Sequence, residues 1–118
     1  MVSAVRISTV SFAGSGQGRS TEEKIDGNRR AALQLVERAA LDKPDIACLP
    51  ETFTGIGLET KEWFRSAETV PGPTTEALGD IAKRHKMYVV SPIVERLGGK
   101  TFNEYFARAN AVRQRALW

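Results

Sequence analysis

The sequence predicts an α/β protein: a layered sheet whose strands are joined by helical crossovers. Three observations carry this. Short runs rich in β-branched and apolar residues lie near the start, at 45–50 and at 87–95; two segments with apolar residues at three- and four-residue steps separate them; and prolines or glycines stand at the junctions. The order read along the chain is β-α-β-α-β, and in such sheets functional groups gather at the carboxyl ends of the strands.

The first run, Ala4 to Phe12, is bounded by glycines and carries Val5, Ile7, Val10 and Phe12. Its alternation slips between Ile7 and Val10, so either both faces take apolar residues or a bulge sits near Thr9. Residues 13–27 hold Gly14, Gly16, Gly18 and Gly27 among polar residues and read as a long loop with no core element. From Asn28 to about Asp42, Ala32, Leu35, Val36 and Ala39 recur at helical spacing. Pro44 cannot continue that helix, and Asp45 to Pro50 follows as a short buried strand closed by proline. Glu59 to Arg65 has content for a turn or two of helix. Pro71-Gly72-Pro73 is a turn signal, after which Thr74 or Thr75 can cap a helix with Leu78, Ile81 and Ala82 on one face and Lys83, Arg84 and His85 in its last turn. Met87 to Glu95 is the third β-rich run, and Gly98-Gly99 marks a hairpin-like turn behind it.

With 118 residues, 42% hydrophobic and 26% charged, the chain has the composition and length of one globular domain, which excludes collagen, a disordered tail and a disulfide scaffold. No apolar stretch approaches the ~18 residues of a membrane span, and the start lacks the pattern of an export signal, so no membrane is expected as a partner. The single cysteine, Cys48, cannot form an internal disulfide, which suits a reducing, cytoplasmic location. The net charge of +3 is a property of the carboxyl end: residues 1–95 carry 12 Lys/Arg against 13 Asp/Glu, residues 96–118 five against one. The body therefore lacks the basic face that nucleic-acid binding requires, and no nucleic-acid partner is expected.

Glu51 is the strongest chemical signal. It follows a buried strand directly, between Leu49 and Phe53, with Gly55 and Gly57 behind it. A carboxylate half walled by apolar side chains is desolvated, its pKa rises, and it can act as a general base; the same residues also fit an exposed loop glutamate that caps a backbone amide. The other constellations are weaker. Gly14 to Arg19 has the wrong glycine spacing for a dinucleotide fingerprint and no phosphate-loop lysine, so no cofactor is expected. One histidine, His85, and one cysteine cannot build the usual zinc site, so no metal is expected either. Trp63 and Phe64 fit a core plug better than a pocket lining near Glu51.

Taken in order, Val5 to Val10, Asn28 to Val36, Pro44 to Phe53, Val70 to Leu78 and Tyr88 to Val90 resemble the amino-terminal part of the nitrilase, or carbon-nitrogen hydrolase, superfamily over residues 4 to about 103. The resemblance implies the amino-terminal portion of a four-layer α-β-β-α sandwich. It also implies hydrolysis of a small amide, nitrile or carbamoyl compound through a thioester, by a glutamate, a lysine and a cysteine. Only the glutamate transfers, as Glu51, whose implied role is general base. The family lysine lies in a Lys-X-His-Leu-like segment and the nucleophile in a Cys-Tyr/Trp-Asp-like elbow, both later than any residue of this chain. Lys83-Arg84-His85 mimics the first, but at a helix end where basic residues are expected from the dipole. Cys48 reads as a small buried apolar residue rather than a nucleophile.

Two domain segments are expected: a partial carbon-nitrogen hydrolase domain, 1–103, and a divergent basic tail, 104–118. The arginine- and alanine-rich tail has the composition of a high-GC gene read out of frame, so a frameshifted or truncated product without activity of its own is expected. The alternative is a genuine helical tail, since Ala, Arg, Gln and Leu favour helix. A half-sandwich leaves one sheet face in water, so self-association or homo-oligomerisation is expected, and a non-catalytic α/β module that pairs with another chain is the second functional reading.

Overall fold

A computed structural model describes residues 4–16, 18–96 and 113–117, the last through their backbone. Three parallel strands, β1 (Ile7–Thr9), β2 (Ile46–Cys48) and β3 (Tyr88–Ile93), alternate with two helices, α1 (Thr21–Ala40) and α2 (Pro73–His85). A fourth strand, β4 (Arg113–Leu117), pairs antiparallel with β3, and the sheet order is β1-β2-β3-β4. The expected β-α-β-α-β order is the observed one. Among the described residues no helix is long and apolar enough to cross a membrane.

Parallel neighbours joined by right-handed crossovers in sequential order bring both helices to the same face of the sheet. There Ala32, Val36 and Ala40 of α1 meet Leu78, Ile81 and Ala82 of α2 over Ala47, Leu49, Val89 and Ile93, all buried. The register sets Ile7, Ile46 and Tyr88 in one row across the strands, and Thr9, Cys48 and Val90 in another. Side chains alternate along a strand, so these rows lie on the face away from the helices. Ile7 and Tyr88 are 58% and 51% exposed there. The slip in the first run is thereby explained without a bulge: Ile7 belongs to the open face, whereas Val10 and Phe12 pack against the helical core.

Helix α1 begins seven residues earlier than its apolar period indicates, inside the stretch read as loop. Ser20 accepts a hydrogen bond from Glu23 N at 3.1 Å, and the Glu23 carboxylate accepts from Ser20 N, a reciprocal cap that satisfies two free amides of the first turn. The Arg19 backbone amide, 2.7 Å from Glu23 Oε2, and then the Ser20 amide hold the Glu23 carboxyl below its ordinary value. Ile25 and Asn28 extend the buried stripe by one turn, so a core element does live within residues 13–27. At α2 the cap residue is Gly72, with Pro73 opening the helix. The free amide of Thr74 is met by Glu68 Oε1 at 2.9 Å, and the Arg29 guanidinium of α1 stands 3.6 Å from that oxygen. The Thr60–Ser66 segment is a 3-10 helix whose Trp63 packs with Ala67 and Val94. The Gly98-Gly99 turn and residues 104–112 of the tail lie outside the described residues. Over residues 113–117 the chain is strand, not the helix offered as the alternative for the tail.

Candidate functional site

Glu51 stands three residues beyond the end of β2, at the carboxyl edge of the sheet, where α/β proteins collect their functional groups. Its turn is tied on both sides. Leu49 N donates to Val90 O at 2.9 Å and Thr52 N to Pro92 O at 3.1 Å, so the residues flanking Glu51 are laced to β3. Gly55 N then returns to Thr52 O at 2.9 Å, closing the short 3-10 segment Phe53–Gly55. Phe53 is wholly buried and meets the Phe12 ring edge-on, with centroids 6.5 Å apart. That anchors the turn in the core by a side chain two residues from Glu51.

Thr52 adopts the left-handed conformation, φ 46° and ψ 40°. A β-branched residue reaches that region only when its surroundings compel it, at a cost of about 1–3 kcal/mol. Here the bond to Pro92 O on one side and the buried Phe53 ring on the other hold it. The consequence is a sharp reversal that leaves the Glu51 side chain in solvent. The expected apolar walls are not there: Leu49 and Phe53 turn into the helical core, 5% and 0% exposed, and do not flank the carboxylate. Alternation explains this, since Leu49 follows Ala47 on the helix side.

Asn28 is the residue that sequence reasoning missed. Its side chain is 2% exposed, yet it is polar. Nδ2 donates to Thr54 O at 3.1 Å and Ile56 O at 2.8 Å, and Oδ1 accepts from Ser15 N at 2.9 Å. One side chain thus joins α1, the loop after β1 and the loop after β2. The signal was present: Ile25, Asn28, Ala32 and Val36 share one helical face, and a polar residue within such a stripe has a partner to satisfy. Beside it, Ala13 to Gly16, Lys24, Ile56 and Gly57 line a cleft of about 160 Å³.

The two decoys separate from Glu51. Lys83 lies in the last turn of α2, which runs back to the amino edge of the sheet, the opposite edge from Glu51. Its neighbours Arg84 and His85 are engaged with Glu37 of α1, the His85 Nε2 at 2.8 Å from Glu37 Oε2, and Arg84 Nε also reaches Asp80 Oδ2 at 3.2 Å. Cys48 is partly exposed rather than buried. Its strand neighbours Ala47 and Leu49 take the helix side, which leaves Cys48 on the open face. Trp63 lies against Gly55, where an added Cβ would stand 2.7 Å from the indole. A larger cleft of about 640 Å³ runs between α1 and α2, lined by Leu33, Glu37, Ala77, Ile81 and Arg84 among others, on the helical side of the molecule. Among the described residues no group of three or more potential ligands is placed to hold a metal.

Comparison with known proteins adds a family to this geometry. The family model described as carbon-nitrogen hydrolase matches residues 12–110. A nitrilase of Pyrococcus abyssi is 35% identical over 81 residues, covering 66% of this chain and 31% of that protein. An omega-amidase of Xenopus tropicalis is 35% identical over 77 residues, 64% of this chain and 28% of its own length. A beta-ureidopropionase of Arabidopsis thaliana is 34% identical over 65 residues, 52% of this chain and 16% of its own. The chain therefore spans less than a third of the length of these curated relatives.

Proposed function

Because this chain belongs to the carbon-nitrogen hydrolase family, we propose that Glu51 is the general base of a hydrolase acting on a small amide, nitrile or carbamoyl compound. The observation that carries the reading is the turn itself. A strained, doubly tethered reversal at the carboxyl end of a parallel strand fixes the backbone from which an exposed carboxylate projects.

The chemistry explains why such a carboxylate is needed. A thiol near its ordinary pKa of ~8.5 is only a few per cent thiolate at neutral pH, so a base in hydrogen-bond reach must take its proton. For an amide, the sulfur then attacks the carbonyl carbon, a cation stabilises the oxyanion, and the C–N bond breaks as the base passes the proton to the departing nitrogen. Water attacks the resulting thioester, releasing the acid and restoring the thiol. Glu51 supplies the proton transfers. In this reading the oxyanion-stabilising lysine and the nucleophilic cysteine are not supplied by residues 12–110, the span that the family model matches. The 118 residues alone are proposed to be without activity, because a carboxylate with no thiol nucleophile beside it can at most activate water.

The names of the nitrilase and omega-amidase relatives support the substrate class. A second reading, a non-catalytic module that pairs with another chain, is favoured by the open sheet face with Ile7 and Tyr88 exposed. One experiment separates the two. The 118-residue chain is assayed on small amides and nitriles beside an extended chain in which the phase past Asn103 is corrected through the lysine and cysteine segments. Activity is expected in the extended chain only, and Glu51→Gln there should remove nearly all of it, on the order of 10⁶-fold as when one member of a cooperative triad is lost. An extended chain without turnover would favour the module; turnover by the short chain would overturn its inertness.

A further inference from the structure

We propose that Asn28 is a positioning residue for Glu51: its amide clamps the turn that presents the carboxylate to the loop that follows β1. The proposal rests on the assignment of Glu51 as general base and names what holds that base in place.

Three observations carry it. First, among the described residues no hydrogen bond or ion pair is made by the Glu51 side chain, so the backbone turn is what fixes the point from which the carboxylate projects. Second, that path is strained at Thr52 and relaxes unless restrained from outside. The bond from Thr52 N to Pro92 O restrains it from β3; the bonds from Asn28 Nδ2 to Thr54 O and Ile56 O restrain it from α1. Third, Asn28 is committed to this task with no freedom left. It is 2% exposed, both amide hydrogens go to the Glu51 loop, and its oxygen takes the Ser15 amide. The loop after β1 lies hard against the same place: a Cβ added at Gly14 would stand 3.1 Å from Ile56 Cγ2 and 3.5 Å from Asn28 Oδ1. Gly14 itself has φ +97°, a conformation that a side chain would strain.

A misplacement of a reacting group by about 1 Å can lower a rate by ~10²-fold. The error would fall on the thiol proton transfer and leave substrate binding largely intact, so kcat should fall with KM nearly unchanged. The experiment uses the extended chain, the form in which the proposed activity exists. Asn28→Leu and Asn28→Asp are compared with Glu51→Gln, with rates referred to the folded fraction measured by circular dichroism. Asn28→Leu should lower kcat by roughly 10–100-fold and change KM by less than about twofold. Asn28→Asp keeps the volume and the acceptor for Ser15 N, and so remains informative where the leucine variant does not fold. Its carboxylate would face the Thr54 and Ile56 carbonyl oxygens with no hydrogen to donate. Its kcat should therefore be low at pH 8 and recover in part, relative to the wild type, as the pH falls and the protonated acid donates one bond again. Folded variants with wild-type kcat, while Glu51→Gln is inactive, would overturn the role of Asn28 and leave the Glu51 assignment standing. Losses that only track loss of fold would overturn it too. An active Glu51→Gln would instead remove the general-base assignment, and the positioning role with it.

Discussion

The two faces of the sheet are both apolar in sequence and opposite in fate. On one, Ala47, Leu49, Val89 and Ile93 lie under two helices and are at most 5% exposed. On the other, Ile7, Ile46 and Tyr88 form a row, with Cys48 and Val90 beside it, and Ile7 and Tyr88 keep more than half their surface in water. Parallel strands normally carry apolar residues on both sides because both sides are covered. The difference between the faces thus teaches that the strands carry the pattern of a two-sided burial of which the described residues complete one side. That agrees with a nitrilase-like α/β segment spanning less than a third of its relatives.

Stability measurements test the asymmetry most strongly. Phe53→Ala and Leu78→Ala, at residues wholly buried on the helical side, should cost about 3–5 and 2–5 kcal/mol in urea unfolding. Ile7→Ala on the open face should change the same midpoint by less than about 0.5 kcal/mol. Comparable losses at Ile7 and Leu78 would mean that the open face is already covered in solution. A second copy of the chain is the simplest cover, and sedimentation of Ile7→Ser beside the wild type would detect it.

Cys48 sharpens the same contrast chemically. Being partly exposed on the open face, it should react with a neutral thiol reagent in the folded 118-residue chain, and at least tenfold more slowly in the extended chain, where the second layer covers it. Equal rates in the two forms would show that this face stays open in both.

The smallest effect belongs to the far edge of the covered face, where α1 meets the end of α2. Arg84 first, then His85, hold the Glu37 carboxyl below its ordinary value. A lowered folded-state pKa means that the contribution is fully present above the ordinary glutamate value, about 4.3, and is lost as pH falls through the lower folded value. Because the pair is well exposed, Glu37→Gln should cost no more than about 1 kcal/mol at pH 7, and the difference should vanish in acid and shrink in high salt. A penalty that persists at pH 2 would assign it to packing rather than to charge.

Several features could be read without coordinates because their causes are local. Pro44, Pro50 and Pro73 punctuate the chain wherever it folds, the apolar period of α2 needs only its own residues, and Glu51 falls at a strand end because Pro50 stops the strand. The first turns of α1 were also written locally, in the Ser20–Glu23 cap, but glycines and charges masked them and only Ile25 showed an apolar face. The face taken by Cys48, the exposure of Glu51, the left-handed Thr52 and the bonds of Asn28 had no local signature of that kind. Each depends on partners 13 to 42 residues away in sequence, Ser15, Thr54, Val90 and Pro92 among them. By itself the sequence determined the order of the strands and helices and the place of Glu51 at the end of the second strand. Only the tertiary structure decided which face of the sheet was covered and how the Glu51 turn was held, because crossover handedness and long-range backbone hydrogen bonds come into being when the strands pair.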